Sequence, residues 1–105
     1  MKNLTDIMKQ AQQLQSRMAD LQTELDGAEV EGRAGGGLVS VVMSGKGEVK
    51  KVSIDPSLMK EDEREILEDL IVAASADAKT KAEALAAEKM KSITGGMTLP
   101  PGLGL

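Results

Sequence analysis

The sequence predicts an α+β protomer in the order α-β-β-β-α, two long helices flanking a three-stranded antiparallel meander. Three observations predict it. Leu4, Ile7, Ala11, Leu14, Met18, Leu21, Leu25 and Ala28 step by alternating threes and fours. Apolar residues then change to a spacing of two between 28 and 54, and Ile66, Leu67, Leu70, Ile71, Ala74, Ala78, Ala82 and Leu85 restore a helical stripe.

The first helix is expected over 3–26, with the a/d seam of a helix that packs along another element and Gly27 as its stop. At ~1.5 Å per residue it extends ~35 Å, too long for a small sheet to cover. Strands are expected over 28–33, 38–44 and 47–54. Ala28, Val30 and Gly32 alternate with Glu29, Glu31 and Arg33, and "LVSVVMS" and "EVKKVSID" follow. "SGKG", Ser44 to Gly47, suits a tight hairpin with both glycines at positive φ. Pro56 in "IDPSL" cannot extend a ladder, and Glu61, Asp62 and Glu63 complement the N-terminus of a second helix expected over 60–93. The small residues in the middle of its stripe allow another helix to approach closely. Residues 1–93 thus make one domain. Residues 94–105, "TGGMTLPPGLGL", carry glycine and proline too densely for regular structure and read as a tail.

The chain of 105 residues has no Phe, Tyr or Trp, so its core is built from Leu, Ile, Val, Met and Ala. Such a small core is marginal alone, which favours association with a second copy. Val39, Val41 and Met43 take one sheet face and Leu38 and Val42 the other, while Val49 alternates against Val52 and Ile54. Both faces are then partly apolar. Helices of the same chain cover one, and the other is an association surface. Leu38, Val39, Val41, Val42, Val49 and Val52 are the candidate dimer interface.

With no His and no Cys, the usual zinc sites, thiol nucleophiles and imidazole bases cannot be built, so no enzyme activity, metal or cofactor is expected. Gly35, Gly36 and Gly37 raise the question of a phosphate loop. Gly32 and Gly37 have its spacing, but Leu38 and Val39 stand where Lys and Ser or Thr are required, and a strand follows in place of a helix. The glycines read as a connection between the first two strands, as a bulge or as a place where a backbone passes closely, and no small-molecule substrate is expected. No segment approaches ~18 apolar residues, and "MKNLTDIMKQ" lacks the apolar core of a signal peptide, so no membrane association and a cytoplasmic location are expected.

The net charge is −4, with acid concentrated around "EDEREILEDL". Lys2, Lys9 and Arg17 lie along the outer stripe of the first helix, and Lys81, Lys89 and Lys91 within about half the circumference of the second. In an antiparallel hairpin these clusters come together at one arm tip. Lys46, Lys50 and Lys51 form a third basic group near the hairpin.

"AGGGLVSVVMSGKGEVKKVSIDPSL", continuing through "LEDLIVAA" and "AEKMKSITGGMTLPPGLGL", resembles the YbaB/EbfC family of bacterial nucleoid-associated proteins over almost the whole chain. The resemblance implies a tweezer-like homodimer joined through its sheets, helix pairs projecting as arms, and binding to double-stranded DNA in the nucleoid. Ala76 departs from it, since relatives often carry Asn before the Asp of "AASADAKTK". Without aromatics there is no base stacking, so DNA contact falls to phosphates, with Lys2, Lys9, Arg17, Lys81, Lys89 and Lys91 as its candidates and little sequence preference expected. The alternative is a prefoldin-like chaperone or scaffold whose arms grip protein clients. Cationic arm tips favour DNA, and a continuous apolar patch favours clients.

Overall fold

The computed structural model describes residues 3–94; Lys2 and the tail from residue 95 onward lie outside the described residues. The architecture is the expected α-β-β-β-α, with α1 (Leu4–Gly27), β1 (Glu29–Ala34), β2 (Val39–Ser44), β3 (Val49–Ile54) and α2 (Arg64–Thr94). The strands form one antiparallel sheet in sequence order.

Local chemistry sets each boundary. Asn3 caps α1, its Oδ1 accepting from the Asp6 amide at 2.9 Å, and the chain leaves the helix at Ala28, whose backbone turns extended. Gly35, Gly36 and Gly37 all have positive φ (65°, 67° and 96°) and fold into a tight left-handed connection from β1 to β2. Asp55 accepts from the Ser57 amide at 2.9 Å and caps a short 3-10 turn, Pro56–Leu58. That bond holds the Asp55 carboxyl below the usual carboxylate range. A second 3-10 turn, Glu61–Glu63, places the acidic run at the entrance of α2, which becomes α-helical only at Arg64.

The core lies between β2 and α2. Val39, Val41 and Met43 pack against Ala74 and Ala78, with Leu58 closing one end and Val30, Ala34 and Ile54 at the margin. The small stripe of α2 does allow a close approach, but by β1 and not by another helix. A Cβ on Gly32 would meet the carbonyl oxygen of Ala74 and lie 2.8 Å from the Ala78 Cα. Only glycine permits that backbone contact.

Two expectations about the sheet are corrected. A bulge between Val42 and Met43 breaks the β2–β3 register, so Val49 opposes Met43 and shares the helix-side face with Val52 and Ile54. The opposite face is polar, carrying Glu31, Arg33, Ser40, Lys51 and Ser53 around Val42. Leu38 is drawn into the margin of the core. Uncovered apolar surface lies instead on the helix-side flank, where α2 packs on β1 and β2 and leaves Val49 54% and Val52 43% exposed.

The hairpin tip anchors α1. The Gly45 amide donates to the carbonyls of Leu25 at 2.9 Å and Ala28 at 3.1 Å, satisfying carbonyls that a helix end would leave free. Gly45 is required for this approach and not for its φ; among the hairpin glycines only Gly47 has positive φ. From this anchor α1 and α2 project side by side, and the radius of gyration is 19.9 Å, against ~13 Å for a compact domain of this length.

Candidate nucleic-acid interface

The arm is built from the two helices running antiparallel. Lys89 of α2 pairs with Glu24 of α1 at 3.4 Å, and Ile93 lines the same shallow concavity as Arg17 and Leu21. The end of α2 is therefore level with the middle of α1. Leu21 and Leu25 are buried and Met18 half-buried. Beyond them Leu4, Ile7, Ala11 and Leu14, the first half of the heptad seam, are exposed.

Among the described residues, the candidate phosphate contacts do not all gather at one tip. Lys81 sits at the root of the arm, where its Nζ donates to the Glu31 carbonyl at 2.8 Å and lies 3.1 Å from Asp77 Oδ2. The same Asp77 oxygen accepts from the Arg33 amide at 3.1 Å. Asp77 and Lys81 thus cover the outer edge of β1, blocking strand addition there. The Arg33 amide, and then Lys81, hold the Asp77 carboxyl below the usual carboxylate range. Lys81 is a clamp between α2 and β1, a role sequence could not show because its partner is 50 residues away. Lys89 cross-links the two helices through Glu24.

Lys9 and Arg17 project from the exposed half of α1 and flank a shallow face made by Gln12, Gln13 and Ser16. Lys91 is exposed in the last turns of α2. The signal that groups these residues is the placement of acid. Apart from Asp6 in the first turn of α1, every Asp and Glu of the chain lies between Asp20 and Glu88. The end of the arm, α1 from Ile7 to Ala19 and α2 from Lys89 onward, is free of carboxylates although the protein is acidic. The concavity at Arg17 marks the boundary, since Asp20, Glu24 and Glu88 line its inner side.

The third basic group is dispersed. Lys50 pairs with Glu48 at 3.6 Å, Lys51 lies on the polar sheet face, and Lys46 lines a hollow beside the hairpin together with Lys79. Lys79 was not singled out by any sequence pattern. The three glycines form a turn that leads into β2, and the Leu38 amide is already bonded to the Gly35 carbonyl. No group of three or more potential metal ligands occurs among the described residues, and no helix there is long and apolar enough to cross a membrane.

Of the residues expected at a dimer interface, Val39 and Val41 are fully buried against α2 within the protomer and cannot reach a partner. Leu38 is largely spent in the same core. Val42, Val49 and Val52 remain accessible.

The profile of the YbaB/EbfC DNA-binding family matches residues 1–97. A protein of Nitrobacter hamburgensis named as nucleoid-associated is 64% identical over 105 residues, covering 100% of this chain and 99% of its own length. One of Agrobacterium fabrum with the same description is 55% identical, covering 100% of this chain and 98% of its own length. Among solved structures, an uncharacterized protein from Helicobacter pylori superposes with a TM-score of 0.73 at 22% identity, over 92% of this chain and 98% of its own. That likeness confirms the fold.

Proposed function

Because the chain belongs to the YbaB/EbfC DNA-binding family, a family of DNA-binding proteins and not of enzymes, we propose that it is a nucleoid-associated protein that grips duplex DNA with the ends of its helical arms. In this reading two copies join through the uncovered flank of β3, around Val49 and Val52, and present two arms to one duplex. The observation that carries it is the stretch of the arm free of carboxylates, α1 from Ile7 to Ala19 with Lys9 and Arg17, beside which Lys91 stands in the last turns of α2. An acidic protein approaches a polyanion most readily through a surface poor in its own acid, and here that surface lies out along the arm, away from the sheet, with Asp6 its one carboxylate.

Phosphate contact without base stacking or a helix shaped for the major groove gives weak sequence preference and strong salt dependence. The test is a salt titration of binding to a generic duplex. Each phosphate contact contributes a slope of about −0.9 in log affinity against log salt. The double variant Lys9→Gln, Arg17→Gln is expected to flatten the slope by about two such contacts for each arm engaged, while Lys81→Gln leaves it unchanged. An unaltered slope in the double variant overturns the reading.

The exposed seam of Leu4, Ile7 and Leu14 on the same arm favours a second reading, capture of protein clients. That reading requires binding of unfolded polypeptide that survives high salt.

A further inference from the structure

The first half of α1 presents Leu4 at 71%, Ile7 at 53% and Leu14 at 37% exposure along one stripe, with Met8 beside it at 56%. Four large apolar side chains aligned on one helix face are an unfinished interface, since scattered single exposures are ordinary but a continuous stripe is not. We propose that this seam is covered by the chain's own residues 95–105, folding back along α1 from the end of α2.

Position, length and chemistry support that occupant. α2 ends level with the middle of α1, so the segment begins where the uncovered seam begins. From Leu14 to Leu4 the seam runs ~15 Å at ~1.5 Å per residue, and residues 95–105 can reach ~36 Å at ~3.3 Å per residue in a strand-like path. The segment contains Met97, Leu99, Leu103 and Leu105 and no charged side chain. Gly95 and Gly96 are poor helix formers and Pro100 and Pro101 are helix breakers, which disfavours completing the arm as a coiled coil of α1 with a prolonged α2. An extended chain brings residues two apart to the same side at ~6.6 Å, near the ~5 Å step between successive seam positions. Met97 with Leu99, and Leu103 with Leu105, form two such pairs, and Ala11 supplies a recess between Leu14 and Ile7. A second copy offers the same seam chemistry, but the tethered segment competes at an effective concentration on the order of millimolar.

The inference does not depend on DNA binding. The chain has no cysteine, so Ile7→Cys with Leu103→Cys gives a clean proximity reporter under mild oxidation. A disulfide within one chain, seen as loss of free thiol without a doubled mass in non-reducing electrophoresis, is the expected result. Amide exchange across residues 5–14 is then compared in three proteins: the full chain, the chain ending at Thr94, and the full-length variant Leu99→Asp, Leu103→Asp. Exchange at least tenfold faster in both altered proteins is expected, with the β2 amides beneath α2 as an unchanged internal reference. A disulfide formed only between chains, or exchange that neither change accelerates, overturns the proposal and gives the seam to a second copy or a client.

Discussion

Replacing Gly32 by Ala sets a Cβ against the carbonyl oxygen of Ala74 and 2.8 Å from the Ala78 Cα, both backbone atoms of the helix that closes the core. Neither can rotate aside, so α2 must shift off β1, and a loss of about 3 kcal/mol in urea unfolding is expected. Gly36→Ala meets open space and strains only a φ of 67°, so about 1 kcal/mol is expected there. The reverse ranking would show that α2 does not rest on β1. Sequence showed the turn at Gly35 to Gly37, because three glycines followed by a strand have few other uses. It could not show why residue 32 is glycine, since that depends on which residues of α2 cross it. Asp77 carries a second prediction at this scale. Its pKa is lowered in the folded protein by the Arg33 amide and Lys81, so its contribution to stability is present above the ordinary carboxylate value and is lost as pH falls through the lowered one. Asp77→Asn is therefore expected to be less stable at neutral pH and to show a shallower loss on acidification below about pH 4, read by denaturant midpoints across pH.

Among the elements, β3 departs furthest from the sequence reading. Its alternation was legible, but a bulge at Lys50 adds one residue and returns Val49 to the face of Val52. A register shift of one residue moves side chains across a sheet, and cross-strand pairing sets it. For the proposed dimer, this moves the candidate association surface from the far face to the flank that α2 leaves open. Val41→Asp places a carboxylate in the protomer's own core, where no partner is available, and is expected to cost several kcal/mol. Val52→Asp, on a side chain already 43% exposed, is expected to leave the protomer folded and to shift its sedimentation from dimer to monomer. A Val52→Asp protein that remains dimeric would exclude this flank. The helices were legible in period and length. Their pairing was legible only where the seam is occupied, because a heptad pattern announces that a face will be covered and not what covers it.

For the whole molecule, the proposed function puts the engagement of DNA on the arms. One protomer measures 72 Å in its longest dimension, much of it arm, so the proposed dimer, joined near its sheets, would carry two long arms with separate ends. Each end offers only a few cations, and an isolated end is expected to bind weakly. Joining two ends converts the second contact into an intramolecular one, provided the duplex is long enough to meet both. Duplex length therefore separates the two-handed grip from two independent sites. A duplex of about 10 base pairs spans ~34 Å and one of about 40 spans ~136 Å at 3.4 Å per pair. On the short duplex the parent and Val52→Asp are expected to bind alike. On the long one the parent is expected to gain tenfold or more beyond the increase in the number of available positions, and the monomeric variant is not. The affinities of both are read at one salt concentration, because a change in salt alone would imitate the effect. A parent that gains no more than its monomeric variant would mean that each arm acts alone, and the dimer would then serve stability and not the grip.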